Sequence, residues 1–128
     1  MSAKWFAAWL CLWPTVGWSC GFCDEDRVAV TYDHAVISRA AAARYSVVFV
    51  SVDSPVEPHA FVKSVAAAAP RVRGVVRDSV RTAIAPVAFS FVVDPAVQTP
   101  TAALTELRRL LKADASLRIL RIVSVPPG

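Results

Sequence analysis

The chain has 128 residues, of which 55% are apolar and 19% are charged, and its formal net charge is +4. This length corresponds to one domain, and the apolar content excludes a disordered chain and is sufficient for a hydrophobic core. A charge of only +4 argues against a general nucleic-acid binder, which usually carries a denser basic patch. We therefore expect a single folded domain with no nucleic-acid partner.

The first 19 residues have the layout of an export signal. Lys4 is the only charged residue among them, an apolar run covers residues 5–13, and Gly17 and Ser19 supply small residues at a cleavage-like spacing. The run is shorter than the roughly 20 apolar residues that span a bilayer, and a buried N-terminal helix is the alternative. The pattern predicts a signal peptide over residues 1–19, cleaved within 17–20. It also predicts a periplasmic or secreted protein that keeps no stable transmembrane span after cleavage.

Cleavage after Ser19 would leave Cys20 and Cys23 as the only cysteines, and an even count is typical of an oxidising compartment. Lipid attachment to Cys20 fits the sequence poorly. Gly17 and Trp18 stand where a lipoprotein signal requires an aliphatic and a small residue. We therefore expect an exported protein without a lipid anchor.

The Cys20-x-x-Cys23 pair is the strongest candidate for chemistry in the chain. Two intervening residues let both sulfurs face one ion or each other, and thiolates select soft ions such as Cu(I) or zinc. Three acidic residues follow at once, over 24–26. Their charges oppose activation of the thiols by a helix start and favour a bound cation. The sequence therefore favours copper or zinc binding over thiol exchange.

A plain Cys20–Cys23 disulfide is the alternative, although a loop of about four residues would stabilise the fold by only about 2 kcal/mol. Thiol–disulfide oxidoreduction is the only enzymatic activity left open, because Cys-Gly-Phe-Cys is similar to thioredoxin-like motifs. The absence of a preceding strand in the sequence pattern argues against that activity. Two histidines, scattered acids and four glycines give no convincing catalytic triad, carboxylate pair or phosphate loop. We therefore expect a binding protein rather than an enzyme.

Beyond the cysteines, acidic residues followed by apolar residues at helical spacing predict one helix over residues 25–44, with a strand over 27–32 as the alternative. In that single helix, His34 would lie about three turns, roughly 16 Å, beyond Cys23. We therefore expect His34 to be a helix-face residue or a buried, hydrogen-bonded one, and not a ligand. His59 opens a later helix directly after a strand, which makes it the better candidate for a third ligand; a solvated residue at the helix start is the alternative.

The remaining pattern alternates strands with helices. It predicts strands over 46–52, 71–82, 87–93 and 117–125, and helices over 59–69 and 100–113. Thr99 or Thr101 is the expected cap of the second helix, and Leu104, Leu107, Leu110 and Leu111 are its expected core residues. The order strand, helix, strand, strand, helix, strand is ferredoxin-like. We therefore expect an α+β protein, a ferredoxin-like βαββαβ sandwich over 46–125, with an additional N-terminal helix in the segment 20–45.

Three stretches, residues 50–66, 73–76 and 87–95, resemble the layout of heavy-metal-associated domains, the ferredoxin-like modules of metallochaperones. The resemblance covers about residues 46–125 and is one of order and spacing more than identity. That family places its metal-binding Cys-x-x-Cys between the first strand and the first helix, where this chain has Val56 and His59. The resemblance thus implies a metal function, and the hypothesis is a rearranged site of Cys20, Cys23 and His59.

A second hypothesis is an anion- or protein-binding surface. Arg73, Arg77 and Arg81 alternate with valines and would project from one strand. Phe89 and Phe91 on the next strand faintly resemble the aromatic motifs of RNA-recognition modules, although such phenylalanines are more often core residues. The partner would then be an unknown protein or another anionic group. The open edges of such a sheet permit a dimer, so the oligomeric state stays open.

Overall fold

The computed structural model describes residues 24–53, 57–112 and 116–124. Over these residues the protein is an α+β fold with a four-stranded antiparallel sheet and four helices. The elements in chain order are α1 (Asp24–Ala29), α2 (His34–Ala43), β1 (Ser46–Asp53), α3 (Pro58–Ala68), β2 (Arg81–Ile84), β3 (Val87–Val93), α4 (Pro100–Leu111) and β4 (Ser116–Val123).

The strand order in the sheet is β2-β3-β1-β4, and each neighbouring pair is antiparallel. The two central strands are β-branched and aromatic runs, which suit a buried pleated surface. The range predicted for β3 is confirmed, and β1 extends one residue beyond the predicted range. The strands β2 and β3 form a hairpin. A register shift between Phe49 and Val50 gives the edge strand β4 a bulge.

One face of the sheet packs against α3 and α4. Successive side chains of a strand point to opposite faces, so Val48 and Val50 of β1 and Phe89 and Phe91 of β3 share this face. Their core cluster also contains Phe61, Val65 and Ala68 of α3 and Ala103, Leu104 and Leu107 of α4. Thr99 caps α4 as predicted by accepting a hydrogen bond from the Ala102 backbone N–H. Leu110 was predicted to point inward but is 36% exposed, because it lies on the outer side of α4.

The other face of the sheet is covered by α1 and α2. Val28, Val36 and Ala40 of these helices form a second core cluster with Val47, Phe49 and Val92 of the sheet. Helices therefore cover both faces of the sheet. The N-terminal helices bury the alternate residues of β1 and β3 that a two-helix sandwich would leave exposed.

The prediction of a single helix over residues 25–44 was wrong. The chain forms two helices separated by residues 30–33, because Asp33 adopts an extended conformation and its side chain caps α2. Its carboxylate accepts hydrogen bonds from the backbone N–H groups of Ala35 and Val36, at 3.0 and 3.3 Å. An aspartate cap accepts hydrogen bonds from backbone N–H groups that would otherwise be unpaired at the start of a helix, so a second helix begins at His34.

The predicted strand over 71–82 is confirmed only at its end, in β2. A 3-10 turn (Ala69–Arg71) follows α3, and Gly74 then adopts a positive φ of 88°. Val75 makes only an isolated bridge to Val93. The valine–arginine alternation thus lies mostly in an irregular segment, because Pro70 and Gly74 turn the chain before it can pair continuously.

Candidate metal site and neighbouring surfaces

The predicted metal ligands Cys20 and Cys23 lie outside the described residues, but the position of the next residue is defined. Asp24, the first residue of α1, accepts hydrogen bonds from both terminal nitrogens of Arg118, at 3.0 and 3.3 Å. Arg118 pairs with Ser51 across the β1–β4 ladder, near the carboxyl end of β1. The described chain therefore begins beside β4, at that end of the sheet.

A second ion pair places α1 at the same end. Arg27 Nη1 lies 3.4 Å from Asp53 Oδ1, and Asp53 is the last residue of β1. The helix α3 begins five residues later at Pro58, and Glu57 caps it by accepting a hydrogen bond from the backbone N–H of His59. The starts of α1 and α3 therefore lie at one end of the sheet, and His59 is exposed there.

The chain then crosses the sheet to its other edge. The hydroxyl of Ser90, in β3, donates to the backbone carbonyl of Thr31 at 3.2 Å. Two residues later, Asp33 Oδ2 lies 3.0 Å from Arg81 Nε, in the edge strand β2. His34 therefore begins α2 on the β2 side, whereas Asp24 lies on the β4 side. His34 is exposed, and the break between α1 and α2 replaces the single helix on which its predicted distance from Cys23 was based.

The electrostatics of the two end contacts favour charged aspartates. Hydrogen bonds from the Arg118 guanidinium hold the pKa of Asp24 below its ordinary value, and Asp24 in turn raises the pKa of Arg118. Asp33 has a lowered pKa chiefly through its hydrogen bond from Arg81, and then through the backbone N–H of Val36. Ion pairs therefore hold the segment from Asp24 to Asp33 at both edges of the sheet.

Two buried polar side-chain atoms lie in α1 and β1, the two elements that the Arg27–Asp53 ion pair joins. Among the described residues, Arg27 Nε and Ser51 Oγ have no hydrogen-bond partner. Ser51 is fully buried, two residues before Asp53 in β1. The sequence did not predict that these two side chains are buried, because their burial depends on where α1 packs.

The described ranges contain no group of three His, Cys, Asp or Glu side chains placed to hold a metal ion. Across the same ranges, no helix combines the length and apolar character that crossing a membrane requires.

The three arginines predicted as one binding face lie in different surroundings. Arg81 is in β2 and is paired with Asp33, whereas Arg73 and Arg77 lie in the irregular segment before β2. The Arg73 guanidinium donates to the backbone carbonyl of Val97 at 3.5 Å, and Arg77 is exposed. The prediction that they project from one strand was wrong, because only Arg81 belongs to a strand.

The aromatic part of that predicted surface is absent from the described exterior. Phe89 and Phe91 are each only 1% exposed. Their rings stack with centroids 6.2 Å apart, inside the cluster between the sheet and α3–α4. Neither ring is therefore available to stack on a nucleotide base.

A cavity that sequence patterns did not indicate lies between α2 and residues 76–79. Its volume is about 190 Å³, and its walls include Val36, Ala40 and Ala43 of α2, Tyr45, Val76 and Val92. No motif could reveal it, because its walls come from segments far apart in the chain.

Comparison with protein-family models found no family that matches the chain. Searches of curated proteins and of solved structures likewise found no significant match. Function is therefore inferred from the chain's own residues and contacts.

Proposed function

We propose that residues 46–125 form a ferredoxin-like domain to which α1 and α2 are added. The strand order β2-β3-β1-β4 supports this proposal, since β1–α3–β2 and β3–α4–β4 each return to the sheet with one strand inserted between. The packing of α3 and α4 on one face supports it further. In this view α1 and α2 occupy the face that the basic architecture leaves uncovered.

We propose that the protein is a small exported binding protein that holds a soft metal, copper or zinc, through Cys20 and Cys23. The observation that supports this most is the pair of hydrogen bonds from Arg118 to Asp24, because Asp24 is the residue that follows Cys23 in the chain. Asp24, the residue after the pair, lies near the end of β1 from which the chain leads to α3 and His59. His59 is the proposed third ligand.

The chemistry of these residues suits such an ion. Thiolates and imidazole are the ligands that Cu(I) and zinc prefer. The carboxylates of Glu25 and Asp26 are exposed beside the pair in sequence, where their charges favour a cation. His34 is not proposed as a ligand, because α2 begins at the opposite edge of the sheet.

Competition against a chromophoric chelator for Cu(I) and for zinc tests the proposal. The Cys20→Ser/Cys23→Ser variant should lose high-affinity binding. Removing one imidazole with His59→Ala should weaken binding by at least about tenfold. His34→Ala is the matched control, an exposed histidine at a helix start, and should bind as wild type does.

Equal affinity of the double serine variant and the wild type for both metals would contradict metal binding by the pair. Equal effects of His59→Ala and His34→Ala would contradict the placement of the third ligand while leaving the cysteine pair intact. Circular dichroism of each variant reports whether the fold is retained, so a loss of binding through unfolding is recognised.

A further inference from the structure

We propose that the cavity between α2 and residues 76–79 is a binding site for a small uncharged apolar molecule, about the size of one aromatic ring. The site is distinct from the cysteine pair. It lies beside α2, whereas Asp24, the residue that follows the pair in the chain, is held by Arg118 at the β4 edge of the sheet.

The volume of the cavity suits such a molecule. The cavity measures about 190 Å³ and is partly open to solvent. An enclosed apolar cavity of about 150 Å³ in another protein binds benzene, so the volume of this site is sufficient. A single ring therefore fits here.

The small side chains of α2 create this space. Ala40 and Ala43 line the cavity together with Val76 and Val92, and larger side chains at the two alanines would occupy part of its volume; Ala43 is exposed. Ala40 is almost fully buried, and Val92 belongs to the second core cluster. The cavity therefore extends the apolar packing beneath α2.

The hydroxyl of Ser79 is already used within the protein. Ser79 Oγ donates to the backbone carbonyl of Val76 at 2.6 Å and accepts from the backbone N–H of Val92 at 3.0 Å. Its single donor is thus occupied, so a polar ligand gains little from this wall. A buried polar group without a partner is costly, which favours an apolar occupant.

The charged residues of the site also favour an uncharged ligand. Arg39 and Asp78 both line the cavity, and Arg39 Nη1 lies 4.0 Å from Asp78 Oδ2. Their opposite charges largely cancel, so neither an anion nor a cation gains a net attraction at this site. Both side chains are more than half exposed and can move aside for entry.

The test is a benzene titration of ¹⁵N-labelled protein followed by amide chemical shifts. We expect saturable shifts concentrated at Val36, Ala40, Val76 and Val92. Ala43→Leu, which fills the cavity, should weaken binding by at least about tenfold. Ala41→Leu is the matched control, because Ala41 is exposed on the same helix and does not line the cavity, and it should bind benzene as wild type does.

Absence of saturable shifts up to the solubility limit of benzene would overturn the proposal. Unchanged binding by Ala43→Leu, with its fold verified by its own amide spectrum, would overturn the location. Tighter binding of benzoate or benzylammonium than of benzene would overturn the assignment of an uncharged ligand.

Discussion

Asp33 and Arg81 join the cap of α2 to the edge strand β2, with Oδ2 and Nε 3.0 Å apart. The same carboxylate accepts hydrogen bonds from the first backbone N–H groups of α2 through its other oxygen. One side chain therefore ends the link between α1 and α2, starts α2 and fixes that helix on the sheet. Together with Asp24 and Arg118 at the opposite edge, it holds the N-terminal helices across the sheet.

We expect Asp33→Ala to lower stability more than Asp33→Asn. Asparagine is as good a helix cap as aspartate, so Asp33→Asn loses mainly the ion pair, whereas alanine loses the ion pair and the cap. Urea denaturation followed by circular dichroism measures both variants. Equal midpoints for the two variants would show that the cap contributes nothing.

The fold should lose stability in acid through Asp24 and Asp33. Each carboxyl has a lower pKa in the folded chain than its ordinary value of 3.8. The unfolded chain therefore binds more protons once the pH falls below that value, and stability declines there. Above it, the contribution of both pairs is fully present.

Urea midpoints measured from about pH 6 to about pH 3 test this. The Asp24→Asn/Asp33→Asn variant should show a shallower decline than wild type. Asp26→Asn removes an exposed carboxylate of α1 that makes no ion pair within the described ranges, and it should keep the wild-type slope. An unchanged slope in the double variant would contradict this account.

Phe89→Ala should destabilise the fold by roughly 3–5 kcal/mol, because its ring is buried between the sheet and α3–α4 and its removal leaves a cavity. Ile84→Ala, on the neighbouring strand, should cost less than about 0.5 kcal/mol, since Ile84 is 42% exposed. Chemical denaturation separates the two. Similar losses for both variants would place Phe89 outside the core.

Gly74→Ala should cost about 1–3 kcal/mol, because its positive φ strains a residue with a Cβ atom. That Cβ would also lie 3.1 Å from Val97 Cβ and 3.2 Å from Val97 Cγ1. A double-mutant cycle with Val97→Ala removes the contact with Cγ1 and keeps the one with Cβ, so the coupling energy reports how much of the loss the Cγ1 contact causes. Wild-type stability in Gly74→Ala would mean that the segment adopts another conformation.

The spacing of apolar residues along the sequence predicted much of the fold. The runs that became β1, β3, α3 and α4 are strongly patterned, and their ranges agree with the structure to within a few residues. The sequence failed where one residue serves two elements. Asp33 caps α2 with one carboxylate oxygen and binds Arg81, 48 residues away, with the other.

The candidate site was less accessible from the sequence. Cys20 and Cys23 are evident as a motif, but the contact of Asp24 with Arg118 joins residues 94 positions apart. The valines and arginines of residues 72–81 alternate as a strand would, and Gly74 overrides that pattern through its backbone. The cavity beneath α2 depends on packing, which side-chain periodicity does not specify.

Intact mass spectrometry of the protein purified from its own host without reductant, under native and denaturing conditions, tests the central proposal most directly. We predict a chain that begins within residues 17–20, carries both thiols reduced and retains copper or zinc under native conditions. A metal-free chain lighter by two hydrogens, with Cys20 and Cys23 joined in a disulfide, would contradict the proposed metal site.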